Sequence, residues 1–183
     1  MMNISKYISE QLATLASKGP QELNAAILDS AEQRGYIVGL QVEEHGLGVS
    51  VNMEDYDRYS ATLRNLSVSF EGTPATEREA YLRRCIKQLS ERLTYLEGPL
   101  VLLEFDIETG LAQLRTEQPQ QDGPAVTYWE VLVNIDPKPT ASLTRYHWSP
   151  GDRDRQAAIY PATFTTLGRL AEDLAESLAW LEA

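Results

Sequence analysis

Few side chains in this 183-residue chain are of types that do acid–base, nucleophilic or metal chemistry. There are two histidines, His45 and His147, and one cysteine, Cys85. A protein zinc site takes three or four ligands from His, Cys and carboxylate side chains. Glu43-Glu44-His45 sets a histidine beside two carboxylates that could weakly hold a divalent cation, but consecutive side chains in a turn splay apart, so no metal site is expected. Cys85 lies between Leu82 and Ile86, beside Arg83 and Arg84. Arginines on its own face would favour the thiolate. Successive helical residues point about 100° apart, however, so Cys85 reads as a packed thiol. Glu104, Asp106 and Glu108 alternate with Leu103, Phe105 and Ile107. Sheltered in a pocket, Glu104 and Asp106 could act as acid and base. A strand with one wet face gives the same alternation and is the expected reading. Glu54, Asp55 and Asp57 lack the residue order of a calcium loop. The chain has no G-x-x-x-x-G-K-[ST], G-x-G-x-x-G or G-x-S-x-G motif, and Gly46-Leu47-Gly48 sits inside a hairpin rather than before a helix. No catalytic residue, cofactor or metal ligand is therefore assigned.

A binding patch is the stronger expectation. His147 shares strand parity with Arg145, while Tyr146 and Trp148 take the other face. Arg153 and Arg155 follow beyond the turn Ser149-Pro150-Gly151-Asp152. A hairpin there would set Arg145 or His147 against Arg155 and make a small cationic patch suited to a carboxylate or another anion. Tyr128, Trp129, Tyr146, Trp148 and Tyr160 crowd the same strands. Tyr128 and Trp129 differ in parity, so each face of a regular strand receives a ring. Rings left uncovered mark a recognition surface. The candidate interaction or anion patch is Tyr128, Arg145, His147, Trp148 and Arg155.

The elements that must position these residues follow from periodicity. Ile4, Ile8, Leu12 and Leu15 line a helical face, and Gly19-Pro20 ends that helix. Leu23, Ala26, Ile27 and Ala31 continue as a second helix, giving a helical hairpin over residues 1–34. A first β-region plus helix spans 35–98. Its strands carry Tyr36 to Val42 and Leu47 to Met53, then Tyr59 to Phe70 with a parity flip near Arg64-Asn65 that implies a bulge or a turn. Its helix, opened by Thr73-Pro74 or by Thr76, carries Leu82, Ile86, Leu89, Leu93 and Leu96. Residues 99–183 form a second β-region plus C-terminal helix. Its strands are 100–107, 111–116, 125–135, 141–148 and 155–160, with a loop at Glu117–Pro124. Its helix is capped by Thr165 or Thr166. Hairpins outnumber helix crossovers, so the expected fold is one α+β domain, 1–183: a mainly antiparallel twisted sheet packed by amphipathic helices. Both β-regions share an outline of strands followed by a helix.

The net charge of −11 disfavours nucleic acid. The longest apolar run, Leu100–Leu103, is far short of the roughly 20 residues of a membrane span. The first eighteen residues read as an amphipathic helix rather than a secretory leader. With the free thiol, this places the protein in the cytoplasm. The element order resembles that of the small acidic dimeric chaperones of type III secretion, although the extra N-terminal helix and late strands depart from it. The expected function is a non-enzymatic interaction, chaperone or adaptor module with a protein or peptide partner and a tendency to form homodimers. The alternative is an enzyme or small-ligand binder for an anionic substrate in a sheet-lined pocket.

Overall fold

A computed structural model of the chain describes residues 3–43, 46–74 and 77–179. In chain order, α1 (Ile4–Lys18) is followed by a 3-10 turn (Pro20–Leu23) and by β1 (Ala26–Asp29), β2 (Arg34–Val42), β3 (Leu47–Tyr56) and β4 (Ser60–Phe70). Next come α2 (Arg78–Arg92), β5 (Leu100–Asp106), β6 (Leu111–Thr116), β7 (Gln120–Asp122), β8 (Ala125–Asn134) and β9 (Thr140–Trp148). The short strands β10 (Gln156–Ala157) and β11 (Tyr160–Thr163) lead into α3 (Phe164–Leu178). The described strands make one antiparallel sheet in the order β1-β2-β3-β4-β9-β8-β6-β5, with β7 on β8, β10 on β9 and β11 on β4. Each outer edge starts a meander that runs inward and is then followed by a helix. The two meanders meet where β4 pairs with β9, from Asn65↔Thr144 to Ser69↔Thr140.

All three helices cover one face. Ile8, Leu12 and Leu15 of α1, Leu82 and Leu89 of α2, and Leu167, Leu170 and Leu174 of α3 are buried with Val38, Val51, Leu66, Val68, Leu114, Val131 and Leu143 of the sheet. Each such side chain contributes roughly 1.5–3 kcal/mol when fully buried. The helix ends are satisfied locally. Asn3 Oδ1 accepts from the Lys6 amide at 2.7 Å, and Thr163 Oγ1 accepts from the Thr166 amide at 3.1 Å. The carbonyls at the end of α3 are taken up by α2, where Tyr81 Oη donates to Leu178 O at 2.6 Å and Arg84 Nη2 donates to Ala179 O.

The α+β antiparallel architecture agrees with the sequence reading, and so does the bulge. Asn52↔Asn65 is followed by Met53↔Leu63, which leaves Arg64 as the extra residue. The N-terminal helical hairpin does not form. After Gly19, only one 3-10 turn precedes Asn24, a left-handed residue at φ 51°, and Ala26–Asp29 pairs with Arg34–Ile37 as a strand. Of the residues in that helical spacing, Leu23 packs against the core while Ala26 and Ile27 stand exposed, so no continuous apolar helix face is buried. The expected loop at Glu117–Pro124 contains β7, folded back so that Gln120 pairs with Thr127. The expected strand 155–160 divides, β10 staying on β9 while β11 crosses to β4. α2 is capped by Glu77, whose carboxylate accepts from the amides of Glu79 and Ala80. Thr76, Glu44 and His45 lie outside the described residues. α2 ends at Arg92, although Leu93 and Leu96 remain buried beyond it. Thr163, not Thr165 or Thr166, caps α3. No described helix is long and apolar enough to cross a membrane.

Candidate functional site

Strand alternation sends half of the central sheet residues away from the helices. Where β3, β4 and β9 lie side by side, three rows of those residues are small and uncharged. Cross-strand registers place Gly48, Ser69 and Thr140 in one row, Ser50, Ser67 and Ser142 in the next, and Asn52, Asn65 and Thr144 in a third. Asn65 ties its row together, its Nδ2 donating to Ser142 Oγ and Thr144 Oγ1 at 2.8 Å each. The result is a neutral, low-relief floor on the face that no described helix covers.

One end of this floor changes character. Glu130, directly opposite Thr144, is a carboxylate with a side chain only 5% exposed. Its Oε1 accepts from Arg155 Nη2 at 2.8 Å, and its Oε2 accepts from Arg155 Nη1 and from Gln113 Nε2, the latter at 2.6 Å. Arg155 Nη1 also reaches Tyr128 Oη at 3.2 Å, and the guanidinium lies 3.8 Å from the Tyr146 ring centroid. The hydrogen-bonded Glu130 carboxylate pushes the Arg155 pKa up against the opposing effect of desolvation, so the guanidinium stays charged. Arg115 lies 5.0 Å from the centroid of the Tyr128 ring. Its Nε is shut off from water without a hydrogen-bond partner. Arg115, Tyr128 and Arg155 border an open depression of about 480 Å³, completed by Val126, Trp148, Arg153 and Asp154.

The structure therefore divides the five residues of the expected patch. Tyr128, Trp148 and Arg155 meet on the uncovered face. Arg145 and His147 lie on the opposite one, because β10 pairs Gln156 with His147 and a one-residue offset reverses the face. Arg145 makes a two-pronged pair with Glu97, both contacts at 3.1 Å, and Nη2 also donates to Gln120 Oε1. His147 is held at 3.1 Å from Thr127 Oγ1 through Nδ1 and from Ser149 Oγ through Nε2. Arg115, Gln113 and Glu130 were not singled out from the sequence. For Glu130 a signal exists: it is the lone charge in the apolar run Trp129–Val133.

The remaining reactive groups have structural roles. Glu104 is exposed on the edge strand β5. Asp106 accepts from the Thr109 hydroxyl at 2.8 Å and from the amides of Thr109 and Glu108, which holds its carboxyl below the usual range and closes the β5–β6 turn. Cys85 is buried in α2, and burial pushes its thiol up to about 11. Among the described residues, no group of three His, Cys, Asp or Glu side chains is placed to share a metal ion. A second shallow depression, about 380 Å³, sits at the β1–β2 turn against Arg34, Glu54 and Arg64. There Arg64 Nη2 reaches Glu54 at 3.5 Å and donates to Arg34 O at 3.1 Å. Comparison of the chain with protein-family models, curated proteins and solved structures gives no match.

Proposed function

We propose that this chain is a non-enzymatic interaction module, an adaptor or chaperone-like protein of the cytoplasm, that receives a protein or peptide partner on the uncovered face of its sheet. The observation that carries this reading is the corner where Tyr128, Trp148 and Arg155 meet beside the Ser/Thr/Asn floor. Tyrosine, tryptophan and arginine dominate the energetics of protein interfaces, since each brings large contact area together with a polar group. Small side chains on the adjoining floor let a partner backbone come close. The enzyme alternative needs its groups to converge. Asp106, in register with Leu111, Asn134 and Thr140, lies three strands and five residues from Arg145, or roughly 20 Å at standard strand spacings. A second copy of the chain is a further partner in this reading, joined along the outer edge of β5, where Leu102 and Leu103 stand exposed.

Peptide display against the purified chain tests the proposal. Trp148 is partly exposed, so Trp148→Ala should cost at most about 1 kcal/mol of stability. The selected peptides should bind Trp148→Ala at least about tenfold more weakly than wild type, while Tyr59→Ala, at the exposed ring between β3 and β4, leaves binding unchanged. A selection that yields no binders, or binders indifferent to Trp148→Ala, overturns it.

A further inference from the structure

We propose that the segment read by this corner is acidic: an Asp or Glu carboxylate on an extended peptide docks between Arg115 and Arg153, with an apolar neighbour laid against Trp148. The inference rests on the interaction-module reading and adds the chemistry of the partner.

Glu130 is fully committed, its two oxygens taking three donors from Arg155 and Gln113. Arg115 stands directly across from Glu130 in the β6–β8 register, yet it is turned onto the ring of Tyr128 instead. Among the described residues neither Arg115 nor Arg153 has a carboxylate within ion-pair distance. Arg115 Nε has no acceptor, which leaves the Nη groups to satisfy the side chain. Asp154 is the acid on the rim. Three arginines against Asp154 and Glu130 leave a surplus of one positive charge, on a chain whose net charge is −11. A guanidinium lying on an aromatic ring presents its edge for paired hydrogen bonds to a carboxylate.

Shape decides between a free anion and a chain. The depression is open, so a small ion bound there would keep much of its hydration. A peptide gains more. Val126 and Trp148 are directly paired across β8 and β9 and form an apolar base for the neighbouring side chain. From the corner, the neutral rows of Thr144 and Asn65, then Ser142 and Ser67, give an extended backbone a path free of like charge. Nucleic acid is the weaker candidate, because one surplus charge must act against the field of the whole chain.

Calorimetric titration of the full chain tests this. The probes are acetyl-Asp-Phe-Glu-Phe-Asp-amide, its Asn/Gln counterpart, and inorganic phosphate. The acidic peptide should bind saturably and the amide peptide at least about tenfold more weakly. Arg115→Gln and Arg153→Gln should each weaken the acidic peptide by about threefold to tenfold, while Lys87→Gln, exposed on α2, changes nothing. Arg153 is exposed, so Arg153→Gln carries the test even where Arg115→Gln disturbs folding. Equal binding of the acidic and amide peptides, no binding up to about 1 mM, or indifference to Arg153→Gln overturns the inference. Phosphate competing as well as the peptide marks a free-anion site and also overturns it. Equal binding of both peptides that is lost in Trp148→Ala removes acid recognition alone and leaves the interaction module standing.

Discussion

Glu130 and Arg155 are bonded to each other but are not equally dispensable. The glutamate side chain is 5% exposed and the arginine 38%. Without Glu130, Arg155 can turn to water, so Glu130→Ala should cost about 1–2 kcal/mol. Without Arg155, a shielded carboxylate is stranded, so Arg155→Ala should cost about 3–5 kcal/mol. Urea denaturation gives both numbers, and the reverse order would mean that the carboxylate already reaches water. Three carboxylates elsewhere set the pH dependence of stability. Asp57, held low by the Tyr59 amide and by Ser60, and Asp106 and Glu77, held low by their turn and cap hydrogen bonds, have depressed folded-state values. Their contribution is present above the ordinary carboxylate pKa and is lost as pH falls through the lowered values. Thermal midpoints measured from pH 7 down to about 3 should therefore fall. Cys85 acts at the other end of the pH range. Burial raises its pKa from 9.0 to about 11, so the thiol stays protonated in the fold, and its contribution fades as pH rises above 9. Iodoacetamide should label it only when the chain is unfolded.

At the scale of elements, the crossing of α1 and α3 offers a test in which two rules disagree. Helix propensity favours Gly168→Ala by about 1 kcal/mol. A Cβ at Gly168, however, would sit 2.3 Å from Ser5 O and 2.5 Å from Ser9 Oγ. A backbone oxygen cannot rotate away, and Ser9 Oγ is occupied with Ser5 O and Phe164 O. The clash should win, with a net loss of about 1–3 kcal/mol in a denaturant titration. A gain would mean that the helices slide apart at little cost. The same contrast between local rule and tertiary partner explains which elements were legible in the sequence. The three long helices carry apolar stripes, and β2, β3 and the two halves of β4 on either side of its bulge alternate, because each buries one face on a shared core. β1 was misread because Ala26–Asp29 buries little, and only its pairing with β2 makes it a strand. β7 was missed for a similar reason: Gln120–Asp122 is polar throughout, and its hydrogen bonds to β8 define it. The site was half legible. Tyr128, Trp148 and Arg155 follow from parity and residue type. Arg115 could be added only once β6 was known to lie beside β8. Arg145 and His147 were grouped with Arg155 because the register across the Ser149–Asp152 turn, which a single residue reverses, has no strong local signal.

At the scale of the whole molecule, the charge of −11 acts oppositely on two surfaces. The arginine corner attracts an anion locally, so peptide binding there should weaken as salt screens it. The outer edge of β5 offers unpaired backbone groups beside Leu102 and Leu103, 43% and 47% exposed. That is the pattern by which edge strands join a second copy. Two like-charged chains repel each other at a distance, while strand pairing and leucine burial work only at contact. Association through β5 should therefore strengthen as salt shortens the screening length from about 30 Å at 0.01 M to about 8 Å at 0.15 M. A seven-residue seam is small, so the dimer should be weak, with a dissociation constant on the order of 10–100 µM. Sedimentation across that salt range should show monomer giving way to dimer. Leu103→Lys should keep the chain monomeric throughout. The control is internal: this substitution lowers the net charge from −11 to −10, which by itself favours association, so loss of the dimer would locate the seam at β5 rather than in the general field. Dimerisation that persists in Leu103→Lys, or that weakens with salt, would remove the β5 edge as the seam.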